Sequence, residues 1–314
     1  MNRLEACVSL FLITAFSAVQ YVFLIWAPSS VPHFALLCVT NLIGFLASLA
    51  LFFWELSRLD LEQVRQSMVL SAELIVFNLF MLLGASGLGP TMTDALLSTD
   101  FVFIASILFF LRRQIPDRAT SCGTAMVLLG LFLMAEANVA ELWDRHVLWL
   151  VVSEAAFAFY IISLGRCSSS SNPSVIAMGQ MFFCFLFSLA LWPVEAALRG
   201  APFSLPTDVE FWGSVIYLSF FIRALYGIVQ VYAQRYVGPF ETALIFSTEI
   251  VMTMVLSPLL APAFGLAPER ISPLRAVGGV VIMLGVLATE PAFVESLKRR
   301  VRRAHEPPCQ RPAR

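Results

Sequence analysis

Apolar residues run through most of this chain in blocks of about twenty, separated by short polar or Pro/Gly-bearing joints; a block of that length crosses roughly 30 Å of hydrocarbon as a helix. The pattern predicts ten spanning helices, near residues 6 to 27, 33 to 56, 67 to 87, 90 to 111, 119 to 138, 147 to 165, 173 to 194, 211 to 233, 239 to 260 and 274 to 290. The first block is longer than a signal-peptide core and has only Arg3 ahead of it, so it reads as a span. Pro90, Pro173 and Pro239 fall at helix starts, where a missing N–H is harmless, whereas Pro193 and Pro258 fall late in their spans and are expected to end or kink them. Residues 166–173, RCSSSSNP, read as a flexible turn, and 195–210, with Pro202 and Pro206, as the longest loop.

Two of the blocks repeat each other. GPTMTDALLSTDFV at 89–102 and GPFETALIFSTEIV at 238–251 register without a gap: Gly-Pro, Thr93 with Thr242, Ser-Thr and the final Val coincide, and Asp100 faces Glu249. Farther on, Gly123 and Leu129-Gly130 answer Gly278 and Leu284-Gly285 at a slightly longer spacing. The chain is therefore read as an internal duplication of five helices, the way many transporters are built. Its boundaries are a first repeat over 1–143, a second over 144–291 and a basic tail over 292–314.

Charge gives the orientation. Arg3, Arg58, Arg65, Arg112, Arg113, Arg118, Arg166, Arg235 and the basic tail fall on one side, against Arg145, Arg199, Arg270 and Arg275 on the other. The positive-inside rule then places both termini in the cytoplasm. An odd number of helices per repeat makes the second copy enter from the opposite face, so the fold class expected is an all-α membrane protein of two inverted five-helix repeats.

With 59% hydrophobic and only 13% charged residues, no soluble domain of any size is expected. The basic residues form no stripe, which sets nucleic acid aside as a partner. The cluster from Lys298 to Arg303 is a positive-inside anchor, with attraction to anionic lipid as the other reading. Six cysteines stand singly without ligand or disulfide spacing. His33, His146 and His305 lie far apart, and no nucleophile elbow, metalloprotease motif or glycine-rich nucleotide loop is present. No catalytic residue, metal or cofactor is expected, and the sequence leaves the oligomeric state open.

Charged groups at mid-membrane are costly and usually face a cavity or a partner. Glu73, Asp100, Glu154, Arg223 and Glu249 lie well inside spans, and the last four fall near the middle of their helices. Asp100, Glu249 and Glu154, with Tyr226, Gln230 and Asn78, are the candidates for substrate binding or proton coupling. For Asp100 and Glu249 the alternative is a protonated carboxyl that stitches neighbouring helices together. Repeat registration gives Glu73 and Arg223 nearly equivalent places, and an intramembrane ion pair between them is the expectation.

LAPERISPLRAVGGVVIMLGVLATE at 266–290 resembles the end of a repeat of the EamA family in the drug/metabolite transporter superfamily, where a Glu-Arg precedes a Gly-rich fifth helix; Glu269-Arg270, Gly278-Gly279 and Leu284-Gly285-Val286 match. STEIV at 247–251 is similar to that family's Glu-Pro-Val, with Ile250 in the proline's place. The first repeat diverges more, with Asp100-Phe101 at that position and Arg112-Arg113 where Glu-Arg is usual. The resemblance implies secondary transport of a small organic solute such as an amino acid or drug-like metabolite, commonly outward, across the plasma or inner membrane. From the residues alone, two other readings stand beside it: a membrane-embedded enzyme acting on a lipid or isoprenoid, and a transport-inactive receptor or scaffold.

Overall fold

The computed structural model describes residues 1–28, 30–88, 93, 96, 97, 99–112, 118–134, 144–246, 248–268 and 270–289. Among them all regular structure is helical: α1 (Arg3–Trp26), α2 (His33–Phe52), α3 (Leu61–Ala85), α4 (Asp100–Arg112), α5 (Arg118–Met134), α6 (Arg145–Ser170), α7 (Pro173–Arg199), α8 (Val209–Ala233), α9 (Pro239–Phe246), α10 (Glu249–Leu260) and α11 (Pro273–Thr289). Six of them, α1, α2 with its 3-10 extension, α3, α6, α7 and α8, are long and apolar enough to cross a membrane. Their exposed positions are largely apolar, such as Leu12, Val76, Phe159 and Leu189, which suits hydrocarbon as the surrounding solvent. The protein is a multi-pass membrane protein. The basic tail and the Arg113–Asp117 joint lie outside the described residues.

Short polar residues set the helix starts. Asn2 caps α1 in a reciprocal box with Glu5, its Oδ1 accepting from the Glu5 N–H at 2.9 Å. Asp60 accepts from the Gln63 N–H at 2.7 Å, so α3 begins at Leu61, ahead of the expected start. Asp144 and Asn172 do the same for α6 and α7, and Gly200 and Gly265, at φ 64° and 69°, end segments in the left-handed conformation.

Two expectations are corrected here. The serine run after Arg166 is not a flexible turn as far as Ser170: the Ser169 and Ser170 hydroxyls donate to the Arg166 carbonyl at 2.8 and 3.0 Å, and α6 continues through them. Pro193 does not end α7, which runs on to Arg199; Pro258, by contrast, lies two residues before α10 ends and a 3-10 turn over Ala261–Phe264 takes over.

The helices pair in a reciprocal way. α2 packs on α7, α5 on α11 and α4 on α9, while α3 packs on α6 and α1 on α8. Gly130 and Gly278 bring α5 and α11 into main-chain contact: a Cβ on either would stand 2.7 Å from the other's carbonyl oxygen, and one on Gly285 would stand 2.8 Å from that of Gly123. At the α2–α7 pair the N-terminus of α2 follows Pro32, which has no side chain to cap it. Glu195 of α7 supplies the missing acceptors, taking the His33 and Phe34 N–H groups at 2.8 and 2.7 Å while Arg199 holds it at 3.0 Å. At the opposite end Glu55, just past α2, accepts from the Asn172 side chain at 2.9 Å, at the start of α7.

Candidate functional site

A polar cavity lies inside the bundle where α1, α3, α6, α7 and α8 converge with the starts of α4 and α10. Its empty volume is about 840 Å³, counting space continuous with its mouth. All six residues expected to bind substrate or protons line it: Asn78 from α3, Asp100 from α4, Glu154 from α6, Tyr226 and Gln230 from α8, and Glu249 from α10. Arg223 lines it too.

The three acids are almost fully enclosed, at 1% exposure for Asp100 and Glu154 and 8% for Glu249. Local structure explains two of them. In the second stretch the expected single helix over 239–260 is divided: α9 covers Pro239–Phe246, and the Thr248 N–H reaches the Ile245 carbonyl at 3.1 Å before Glu249 opens α10. In the first stretch the Thr99 N–H reaches the Leu96 carbonyl at the same 3.1 Å before Asp100 opens α4. Each threonine hydroxyl also donates to that carbonyl at 2.7 Å. The same tight turn thus delivers each acid as the first residue of a helix, where the N-terminal dipole favours a carboxylate.

The expected Glu73–Arg223 pair is not formed. Arg223 donates through Nη2 to the Asn78 Oδ1 at 2.9 Å, and the Asn78 amide is oriented for this because its Nδ2 donates to the Leu74 carbonyl at 2.6 Å. Glu73 accepts instead from the Ser163 hydroxyl at 2.9 Å and is absent from the cavity wall. The reason is angular. Glu73 and Asn78 are five residues apart on α3, about 140° around a helix of 3.6 residues per turn, so they face different neighbours.

Further polar groups complete the wall. Gln180 Nε2 donates to the Tyr160 hydroxyl at 2.7 Å, which lies 3.5 Å from Gln230 Oε1. The Arg223 Nε, Gln180 Oε1 and Gln230 Nε2 are buried without hydrogen-bond partners among the described residues, so residues that line the cavity keep bonding capacity to spare. Aromatic rings line the cavity as well: Phe157 stacks on Phe77 with centroids 4.5 Å apart, and Tyr226 leans on Phe246 at 5.5 Å. The lining thus mixes aromatic faces with charged and amide groups, which suits a small molecule with both apolar and polar parts. Among the described residues no group of His, Cys, Asp and Glu is arranged to hold a metal ion.

Arg223 sits in a part of α8 that hydropathy does not reveal. Residues Leu218–Tyr226 wind as a π-helix, a wider turn that recurs at functional sites. Sequence reading also missed a second pair of related stretches: FLASLALFFWE at 45–55 and FLFSLALWPVE at 185–195 share Phe-Leu, Ser-Leu-Ala-Leu and the final Glu. Their serines make the same bond, each hydroxyl donating to the carbonyl four residues back at 2.8 and 2.7 Å. Their glutamates are the two that reach across the α2–α7 pair.

Residues 145–289 match the model of the EamA-like transporter family. A protein of known crystal structure, 18% identical in sequence, superposes with a TM-score of 0.65 over 93% of this chain and 99% of its own, a likeness that carries the fold alone. No curated protein matches the chain. The apolar spans and the cavity they enclose make this chain a multi-pass membrane protein, and its residues 145–289 are similar to the EamA-like transporter family.

Proposed function

We propose that the protein is a secondary transporter that moves a small organic solute across the plasma or inner membrane by alternating access, with the central cavity as its site. Its working parts are the halves 1–143 and 144–291, each a five-helix repeat and the second inverted, so that the chain spans ten times and both termini lie in the cytoplasm. Rocking of one half against the other opens the cavity to each face in turn. The observation that carries the reading is that Asp100, Glu154, Arg223 and Glu249 all line this one cavity. The reciprocal helix pairing, the glycine contacts and the duplicated Ser-Thr-acid turn support the repeat. Three acids beside one arginine favour a cationic or zwitterionic solute, and export is the direction that the family resemblance implies.

The test is uptake and efflux of a labelled metabolite panel, amino acids foremost, in proteoliposomes with and without a pH gradient. Movement of a solute that Glu249→Gln changes several-fold supports the reading; folded protein that moves nothing across a broad panel overturns it.

A further inference from the structure

Glu73 is a mid-membrane acid that the central cavity does not use. It stands halfway along α3, one residue before Leu74 and five before Asn78, both of which line the cavity, yet it points elsewhere. Its Oε1 accepts from Ser163 Oγ on α6 at 2.9 Å, and its Oε2 is buried with no hydrogen-bond partner among the described residues. Ser163 is at the same time part of a second, separate crevice between α3 and α6, formed with Glu62, Arg65 and Gln66 near the start of α3 and Arg166 and Cys167 near the end of α6. This crevice opens at the bundle face where the Arg65 side chain is 70% exposed. Leu70, one turn from Glu73, is in its wall as well.

We propose that Glu73 is a proton-binding site filled from the α3–α6 crevice and not from the central cavity. An ionised carboxylate at this depth is costly, and a single serine hydroxyl does not neutralise it. A proton does: the carboxylate takes one from hydronium in the crevice, water is left behind, and the unpartnered oxygen becomes a donor where it was only an acceptor. The charged and titratable groups around it are Tyr160, Arg166 and Cys167 from α6, Cys184 from α7, and Glu62 and Arg65 from its own helix. Arg223 is held by Asn78, five residues along α3 from Glu73, and shares Tyr160 with it as a neighbour. The Ser163–Glu73 bond joins residues 1–143 to residues 144–291, so gain or loss of the proton changes a contact between the two halves. That coupling rests on the transport reading above, whereas the proton site itself does not.

Carbodiimide modification tests the site directly, because the reagent attacks protonated carboxyls. The full chain in vesicles of one orientation is treated with dicyclohexylcarbodiimide, and Glu73 labelling is read by peptide mass spectrometry. Labelling should fall about tenfold per pH unit above its midpoint and follow the pH on the crevice side. Labelling that ignores pH, or that follows only the opposite side, overturns the proposal. Glu73→Gln keeps an acceptor for Ser163 and the same shape, so it should fold, elute as wild type and flatten the pH profile of solute exchange. A folded Glu73→Gln variant with an unchanged pH profile would reduce Glu73 to a helix-joining group. Side-specific labelling of Glu73 in a protein that exchanges no solute would stand for the proton site and count against transport alone.

Discussion

Where α5 meets α11, Gly130 and Gly278 let two main chains touch; around the central cavity, α3, α6, α8 and α10 hold Asn78, Glu154, Arg223 and Glu249 around an open space. Both regions are built from apolar helices, and they obey opposite rules. The glycine seam gains from van der Waals packing, the main source of helix association in lipid, and tolerates no added atom. The cavity keeps costly charges and buried polar atoms with unused bonding capacity, an arrangement that packing alone would remove. The first region is tightly packed and the second is the proposed site of transport, so substitutions in the two should separate cleanly.

The largest effect is expected at the seam. Gly130→Leu or Gly278→Leu places a side chain where a carbonyl stands 2.7 Å away, and the backbones on both sides must move. The cost should reach about 3 kcal/mol, read as loss of monodisperse protein or a large fall in Tm. Next comes Arg223→Gln, which should lower solute exchange about tenfold or more, the loss of a charge-assisted contact. Its Tm should stay near wild type, because the partner it leaves is the neutral Asn78. If that variant unfolds while Gly130→Leu folds and transports, the contrast between seam and cavity is wrong.

The contrast also shows what one sequence makes legible. Hydropathy found the six long spans, and the repeat of Ser-Thr-acid singled out Asp100 and Glu249; both acids line the cavity with Asn78, Glu154, Tyr226 and Gln230, whereas Glu73 does not. The Glu73–Arg223 pair failed because depth along two helices was used without the angle around them. The division of helix 239–260 and the π-helical winding of α8 were invisible for a different reason. Both are changes of hydrogen-bond register inside apolar runs, and they leave hydropathy untouched. The clasp of Glu195 on the start of α2 was legible in principle: Pro32 leaves an uncapped helix end, and a repeated glutamate after Ser-Leu-Ala-Leu was there to find.

A finer comparison lies within the duplicated turn. Asp100→Asn and Glu249→Gln occupy equivalent helix starts, so each should change exchange several-fold, and the double variant should cost less than the product of the two if both contact one solute. Multiplicative effects would separate them into independent sites. The smallest effect is expected at the α2–α7 ends. Glu195→Gln keeps one acceptor but loses the carboxylate that takes two main-chain N–H groups, at about 1 kcal/mol; Glu55→Gln, which faces a side-chain amide, should cost less. Thermal unfolding of the two variants side by side checks the order.

The central claim, that the polar cavity is a transport site, is met most directly by counterflow of labelled solutes in proteoliposomes, wild type beside Arg223→Gln. The account predicts that at least one small cationic or zwitterionic solute exchanges and that the variant, folded and equally reconstituted, loses about tenfold or more of that exchange. Equal exchange by both proteins would contradict it.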